Sequence, residues 1–241
     1  MAVGDTLYTI RDEVPEMIER GVTAVLRLRP YRAGVTVAPS SATVTVYDET
    51  NTAIVTAASA TITATQATYS LAAQAATKAL AEGWRVEWTY VMPDSVTRLH
   101  RQDAALVKCR PLPPVTEADL YRWESSLNPS GTAPIHSATD FADKLDESWV
   151  RIEHKLIEQG RRPWRVIGSS DLRDAHLTGT LALIFEDFAT RLNAAYADKA
   201  KTYRDGYAAA WRAVRMAYDL DDTGRAATQK RVGGTTTVWL G

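Results

Sequence analysis

Four histidines, one cysteine and a short run of aspartates are the residues of this chain that could carry chemistry. His100, His136, His154 and His176 are far apart. None falls in a His-x-x-x-His or His-x-x-Glu-His spacing that places two imidazoles on one metal. They read as structural or surface histidines. Cys109 is the single cysteine, which excludes an internal disulfide and a cysteine-based zinc site. It reads as a small buried hydrophobe. Asp219, Asp221, Thr223 and Gly224 match the first half of a calcium loop, but Lys230 stands where the bidentate acid belongs. A helix-ending turn with Gly224 at its cap fits better, so no metal is assigned. There is no Gly-x-Ser-x-Gly elbow and no phosphate-binding loop. The remaining carboxylates are read onto solvated helix faces. These absences point away from an enzyme and away from a cofactor.

Residues suited to binding stand out in two places. Arg161, Arg162, Trp164 and Arg165 gather three guanidiniums around an indole in Gly160–Arg165. Arginine and tryptophan together are enriched at interface hot spots. The same loop could equally be a solvated one after a helix C-terminus, where cations suit the dipole. Three charges in a near-neutral protein make a nucleic-acid patch the weakest of the three readings. The second place is the tail, where Gly233-Gly234 precedes Thr235–Leu240. Thr236, Val238 and Leu240 share one side of an extended segment and Trp239 takes the other. A strand this short is not stable alone in water, so it is expected to dock by adding to a partner's sheet rather than join the chain's own core.

The elements that must position these segments follow from periodicity. From Asp171 to Asp219 apolar residues recur at steps of three, four or seven: Leu177, Leu181, Ile184, Phe188, Leu192, Tyr196, Tyr203, Tyr207, Trp211, Val214 and Tyr218. All lie on one face of a single long helix or of two helices in register. Before it, Phe141, Leu145, Trp149, Ile152 and Leu156 mark an amphipathic helix ending at Gly160, with Asp143, Lys144, Asp146, Glu147, Arg151 and Glu153 on its polar face. Its stripe is expected to pack on Leu177–Leu192. Ser137 with Asp140 resembles its cap. Thr116 with Asp119 resembles a capping pair opening a shorter helix to about Leu127.

Between Val22 and Arg110 the period is two. Strands are read at 22–29, 43–47, 53–56, 60–65, 68–71, 85–91, 96–101 and 105–110, with turn residues between them. Such spacing predicts an antiparallel β-sandwich. Trp84, Val86, Trp88 and Tyr90 share one face and are assigned to the centre of its core. The alanine-rich stretch 72–81 reads as one or two helical turns. Arg110-Pro111-Leu112-Pro113-Pro114 is the clearest boundary, an extended linker. The fold class is therefore α+β. An N-terminal arm spans 1–21, the sandwich 22–110, the linker 111–115, a helical bundle with long helices 116–224, and an extended C-terminal tail 225–241.

Charge is balanced in both halves. Residues 1–110 carry 11 Lys and Arg against 11 Asp and Glu, leaving 17 and 18 for the rest. Neither half is a nucleic-acid binder by bulk charge. No apolar run approaches the ~20 residues of a membrane span, and Asp5, Arg11, Asp12 and Glu13 occupy the place of a signal peptide's apolar core.

The segment ERGVTAVLRLRPYRAGVTVAPSSATVTVYD, residues 19–48, resembles the small immunoglobulin-like modules of phage structural proteins. The segments DLRDAHLTGTLALIFEDFA, 171–189, and KTYRDGYAAAWRAVRMAYDLDDTG, 201–224, resemble the helical part of head–tail connector (adaptor) proteins of tailed bacteriophages. The resemblance implies a virion structural protein made in the host cytoplasm. Its copies would assemble, usually as twelve, into a ring beneath the portal. Its partners would be itself, the portal protein, the next connector or tail protein, and genomic DNA passing through the channel without sequence specificity. The sandwich, larger than the smallest adaptors have, leaves a stopper, a tail terminator or a tail protein open. A module that recognises a host surface or glycan is the alternative from another class.

Overall fold

The structure, a computed structural model, describes residues 8–10, 15–131, 135, 140–219 and 231–233, the last three by backbone alone. The chain divides into two compact units, 1–110 and 111–241.

The first unit is built from strands β1 (Tyr8–Ile10), β2 (Glu16–Glu19), β3 (Ala24–Leu28), β4 (Pro30–Arg32), β5 (Val35–Thr36), β6 (Ser41–Tyr47), β7 (Ala53–Ser59), β8 (Thr61–Ile62), β9 (Ala67–Leu71), β10 (Ala81–Val91) and β11 (Thr97–Val107). The main sheet has the order β2-β11-β10-β6-β7, and a three-stranded sheet has the order β3-β9-β8. A smaller sheet is ordered β1-β4-β5. All pairings are antiparallel except β2 with β11. Alternation decides which face is inside. Ala42, Val44 and Val46 of β6 and Trp84, Val86, Trp88 and Tyr90 of β10 are buried, and Leu26, Leu28, Ala67 and Leu71 of the β3-β9-β8 sheet meet them in one core. Val44 lies directly opposite Trp88, so the cross-strand pair anchors the register. A register shift falls between Glu82 and Trp84, where Gly83 takes φ +86°, a β-bulge placed at the residue that tolerates it.

Three expectations are corrected here. Residues 16–19 are no arm: Met17 and Ile18 are buried and β2 runs alongside the end of β11. Pro15 rules out helix there but suits an extended approach. Residues 96–101 and 105–110 are not two strands, because β11 runs unbroken from Thr97 to Val107. The alanine-rich stretch has no helix; a turn closed by Lys78 N–H on the Ala75 carbonyl leads into β10.

The second unit contains α1 (Glu117–Trp123), α2 (Ala142–Glu158), α3 (Arg173–Arg191), α4 (Tyr196–Ala213), β12 (Arg215–Ala217) and β13 (Arg231–Gly233). The apolar run from 171 to 219 is two helices folded on each other. The break sits at Asn193, whose side-chain oxygen accepts from the Ala195 N–H and whose carbonyl accepts from Tyr196. Residues that share one face in sequence therefore meet across the hairpin. Phe185 stacks on Tyr203 at 5.5 Å, and Phe188 meets Tyr196 edge-on at 5.8 Å. The helical run also ends sooner than expected. Val214 and Tyr218 are buried, but as flanks of β12 and not as helix positions.

Only the first part of the α2 stripe packs on Leu177–Leu192 as expected; the stripe divides between two apolar clusters, and its second part packs on residues before Leu177 and after Leu192. Phe141 and Leu145 join Leu177, Leu181, Ile184, Phe185 and Phe188. Trp149, Ile152 and Leu156 join Leu172, Ala175, Trp211 and Met216. Glu153, expected on the solvated face, is buried. Thr116 opens α1 as expected, donating through N–H and Oγ1 to Asp119 Oδ2, both at 2.9 Å. The helix stops at Trp123, four residues early, and Ser125–Leu127 form a 3-10 turn. Ser137 lies outside the described residues; the N-cap of α2 is Phe141, and the Asp140 carboxylate just before it accepts from the Ala142 N–H.

Candidate functional site

The arginine–tryptophan loop begins where α2 ends. Gly160 takes φ +70°, its N–H donates to Ile157, and the Arg161 N–H donates to Leu156 at 2.9 Å. That double closure is a Schellman turn, and glycine is what its left-handed position favours. Pro163–Arg165 then form a 3-10 turn with Pro163 buried and Arg161, Arg162, Trp164 and Arg165 half-buried. The chain leaves it as an extended segment along β12. Val166 bridges Tyr218, the Ile167 N–H donates to Ala217, and the Asp219 N–H donates to Arg165. The Arg161 side chain hydrogen-bonds Tyr218, whose phenol is pushed up by burial with that bond working against it. Arg162 and Arg165 also have interactions of their own. The loop is thus stitched into its unit and is not a freely solvated turn.

The tail enters the same place from the other side. β13 pairs antiparallel with β12, Met216 opposite Val232. Successive residues of a strand direct their backbone groups to alternate edges. Ala217 and Asp219 serve the loop, so Met216 serves β13. Residues 231–233 therefore pair within the chain's own structure, which corrects the expectation that no part of the tail joins it and places Gly233 in a strand. Thr236, Val238, Trp239 and Leu240 lie outside the described residues, as do Asp221, Asp222, Thr223 and Gly224. What the structure brings together is the arginine loop on one edge of β12 and the root of the tail on the other. The sequence signal for β12 was hidden because Arg215-Met216-Ala217 continues the helical spacing.

A polar network around α1 was not read from the sequence. Asp119 also accepts from Arg173 at 2.8 Å. The Thr116 backbone hydrogen bond leads in holding its carboxyl below the usual range. Glu117 accepts from the Phe141 N–H at the start of α2. Glu124 binds Lys199 at 2.6 Å and accepts from Tyr203 at 2.9 Å and from Ser126. Burial pushes the Glu124 carboxyl up, but those three donors together hold it below its ordinary value. Tyr203 in turn hydrogen-bonds Trp123, an indole left 60% exposed. Three carboxylates thus tie α1 to α2, α3 and α4. Carboxylates are ordinarily solvated; beside the local donors Thr116 and Ser126, the tertiary approach of the helices supplies Arg173, Lys199, Tyr203 and the Phe141 N–H.

Among the described residues, no group of three or more His, Cys, Asp or Glu side chains could hold a metal ion. His176 is fully buried, while His154 is half-buried on α2. His136 lies outside the described residues. Cys109, expected inside, is exposed, two residues beyond the end of β11. Asp219 is buried with a partner. No helix among the described residues is long and apolar enough to cross a membrane.

No family model and no curated protein matches the chain. Among solved structures the chain is similar to CopC from Methylosinus trichosporium OB3b, with 13% sequence identity, a TM-score of 0.32, and coverage of 41% of this chain and 92% of that one.

Proposed function

We propose that the chain is a structural virion protein, a ring-forming head–tail adaptor that joins the portal to the tail or to the next connector ring around the DNA channel. The observation that carries this reading is the convergence on β12. An arginine–tryptophan loop and the root of an apolar C-terminal segment flank one strand, which suits a surface that captures a partner and not one that transforms a substrate. The resemblance of residues 171–189 and 201–224 to adaptor helices supplies the class of partner. The first unit is proposed to be immunoglobulin-like. Its support is the strand order, with the first strand of the main sheet running parallel to the last.

The alternative, a host-surface or glycan-binding module, would need an aromatic platform on the sandwich. Trp84 and Trp88 are the residues that would form it, and both are buried. Negative-stain imaging of the purified protein, alone and mixed with its portal, tests the proposal. Rings, usually of twelve copies, seated on the portal are expected. A protein that stays monomeric and leaves the portal bare overturns it.

A further inference from the structure

The contact between α2 and α3 is fastened by a histidine that has no place for a second proton. His176 is fully buried near the start of α3, and its Nε2 lies 2.9 Å from the Leu145 carbonyl on α2. A carbonyl only accepts, so Nε2 carries the hydrogen and the neutral ring presents Nδ1 as a bare lone pair. Nδ1 is buried and has no hydrogen-bond partner among the described residues. The Trp149 ring packs 5.4 Å away. The Ser148 and Thr180 hydroxyls both donate to the backbone carbonyl of His176, not to its ring.

Little nearby could compensate a positive charge. From α2, Asp146 acts on the imidazole, but it is exposed. On α3 itself Asp174 is exposed, and Arg173 is committed to Asp119. From α4, Tyr207 lies against Gly179, and burial raises its phenol so that it stays neutral. The site also lies between the two apolar clusters of the unit, with Leu145 and Leu177 in one and Trp149 and Ala175 in the other.

We propose that His176 is a proton-sensitive lock between α2 and α3. When neutral, it fastens the helices through Leu145. When protonated, it places an uncompensated charge and an unanswered N–H between two half-cores, and the helices part. Burial lowers the proton affinity of the ring, and the Leu145 hydrogen bond and Asp146 offset this only in part. The unfolded chain, with an ordinary imidazole near pH 6.5, therefore binds more protons than the folded one around and below that pH. The lock is complete above about pH 6.5 and is lost as the pH falls below it. The inference does not depend on the adaptor reading.

The test uses the full chain. In the wild type the His176 imidazole, followed by NMR, is expected to titrate below 6.5. Amide protection of 142–158 should fall between pH 7.5 and 5.0, by about tenfold for each unit of depression where opening is coupled to this proton. His176→Gln keeps an N–H for Leu145 but cannot titrate, so its stability should change less over that window. A His176 that titrates at or above 6.5, or a His176→Gln protein with the wild-type pH slope, overturns the proposal. If His176→Gln does not fold, the wild-type titration and exchange data decide.

Discussion

A Cβ added to Gly179 of α3 would lie 2.8 Å from the Ser148 Oγ of α2, and 3.2 Å from the Tyr207 ring of α4. Three helices converge on the missing side chain. Gly206, on α4, has no such constraint: a Cβ there would meet Thr178 Cγ2 at 3.5 Å, an ordinary contact. The two glycines should respond oppositely to alanine. Gly206→Ala should stabilise by about 0.5–1 kcal/mol through helix propensity. Gly179→Ala gains the same propensity but should lose about 1–3 kcal/mol to overpacking, for a net destabilisation. Urea melts of both variants check this, and a stabilised Gly179→Ala would contradict the close approach.

Trp149 is 6% exposed and sits in the cluster with Ile152, Leu172 and Trp211. Trp149→Ala should cost on the order of 3–5 kcal/mol, as large core aromatics do. A loss well below one in chemical denaturation would place the side chain at the surface instead.

Glu124 links α1 to α4 through Lys199 and Tyr203. Its carboxyl is held below the ordinary value of 4.5. A depressed carboxylate contributes stability that is present above its unfolded pKa and is lost as the pH falls through the folded one. The expected acid loss therefore begins near pH 4.5, below the His176 window. Glu124→Gln should flatten the stability profile there. Tyr203→Phe should remove about 1 kcal/mol and speed hydrogen exchange in 117–123. Unchanged exchange in α1 would show that the helix does not depend on this tether.

Deleting 234–241 removes Thr236, Val238, Trp239 and Leu240 but leaves β13. Its melting temperature should stay within a degree or two of wild type, as expected when no core is lost, while co-sedimentation with the portal disappears. Deleting 225–241 also strips β12 of its partner strand and should lower the melting temperature. A 234–241 deletion that binds the portal normally would remove the tail from the interface.

The sequence by itself determined what local periodicity can encode. Alternation placed Trp84, Val86, Trp88 and Tyr90 on one buried face, because side chains of a strand repeat every two residues whatever they pack against. The spacing of Phe141, Leu145, Trp149, Ile152 and Leu156 fixed the inner face of α2 for the corresponding reason in a helix. Thr116 with Asp119 and Gly160 were legible as helix ends because their bonds close within a few residues. The tertiary structure decided whatever depends on partners distant in the chain. A helical phase continues smoothly through Asn193, so only the packing of Phe185 on Tyr203 shows that the run folds back. Arg215–Ala217 became a strand because the loop after α2 and β13 hold its two edges, which overrides its helical spacing. Glu124 and His176 look like ordinary surface candidates in the sequence. Their roles come from Lys199, Tyr203 and Leu145, groups that only the assembled helices bring within hydrogen-bonding distance.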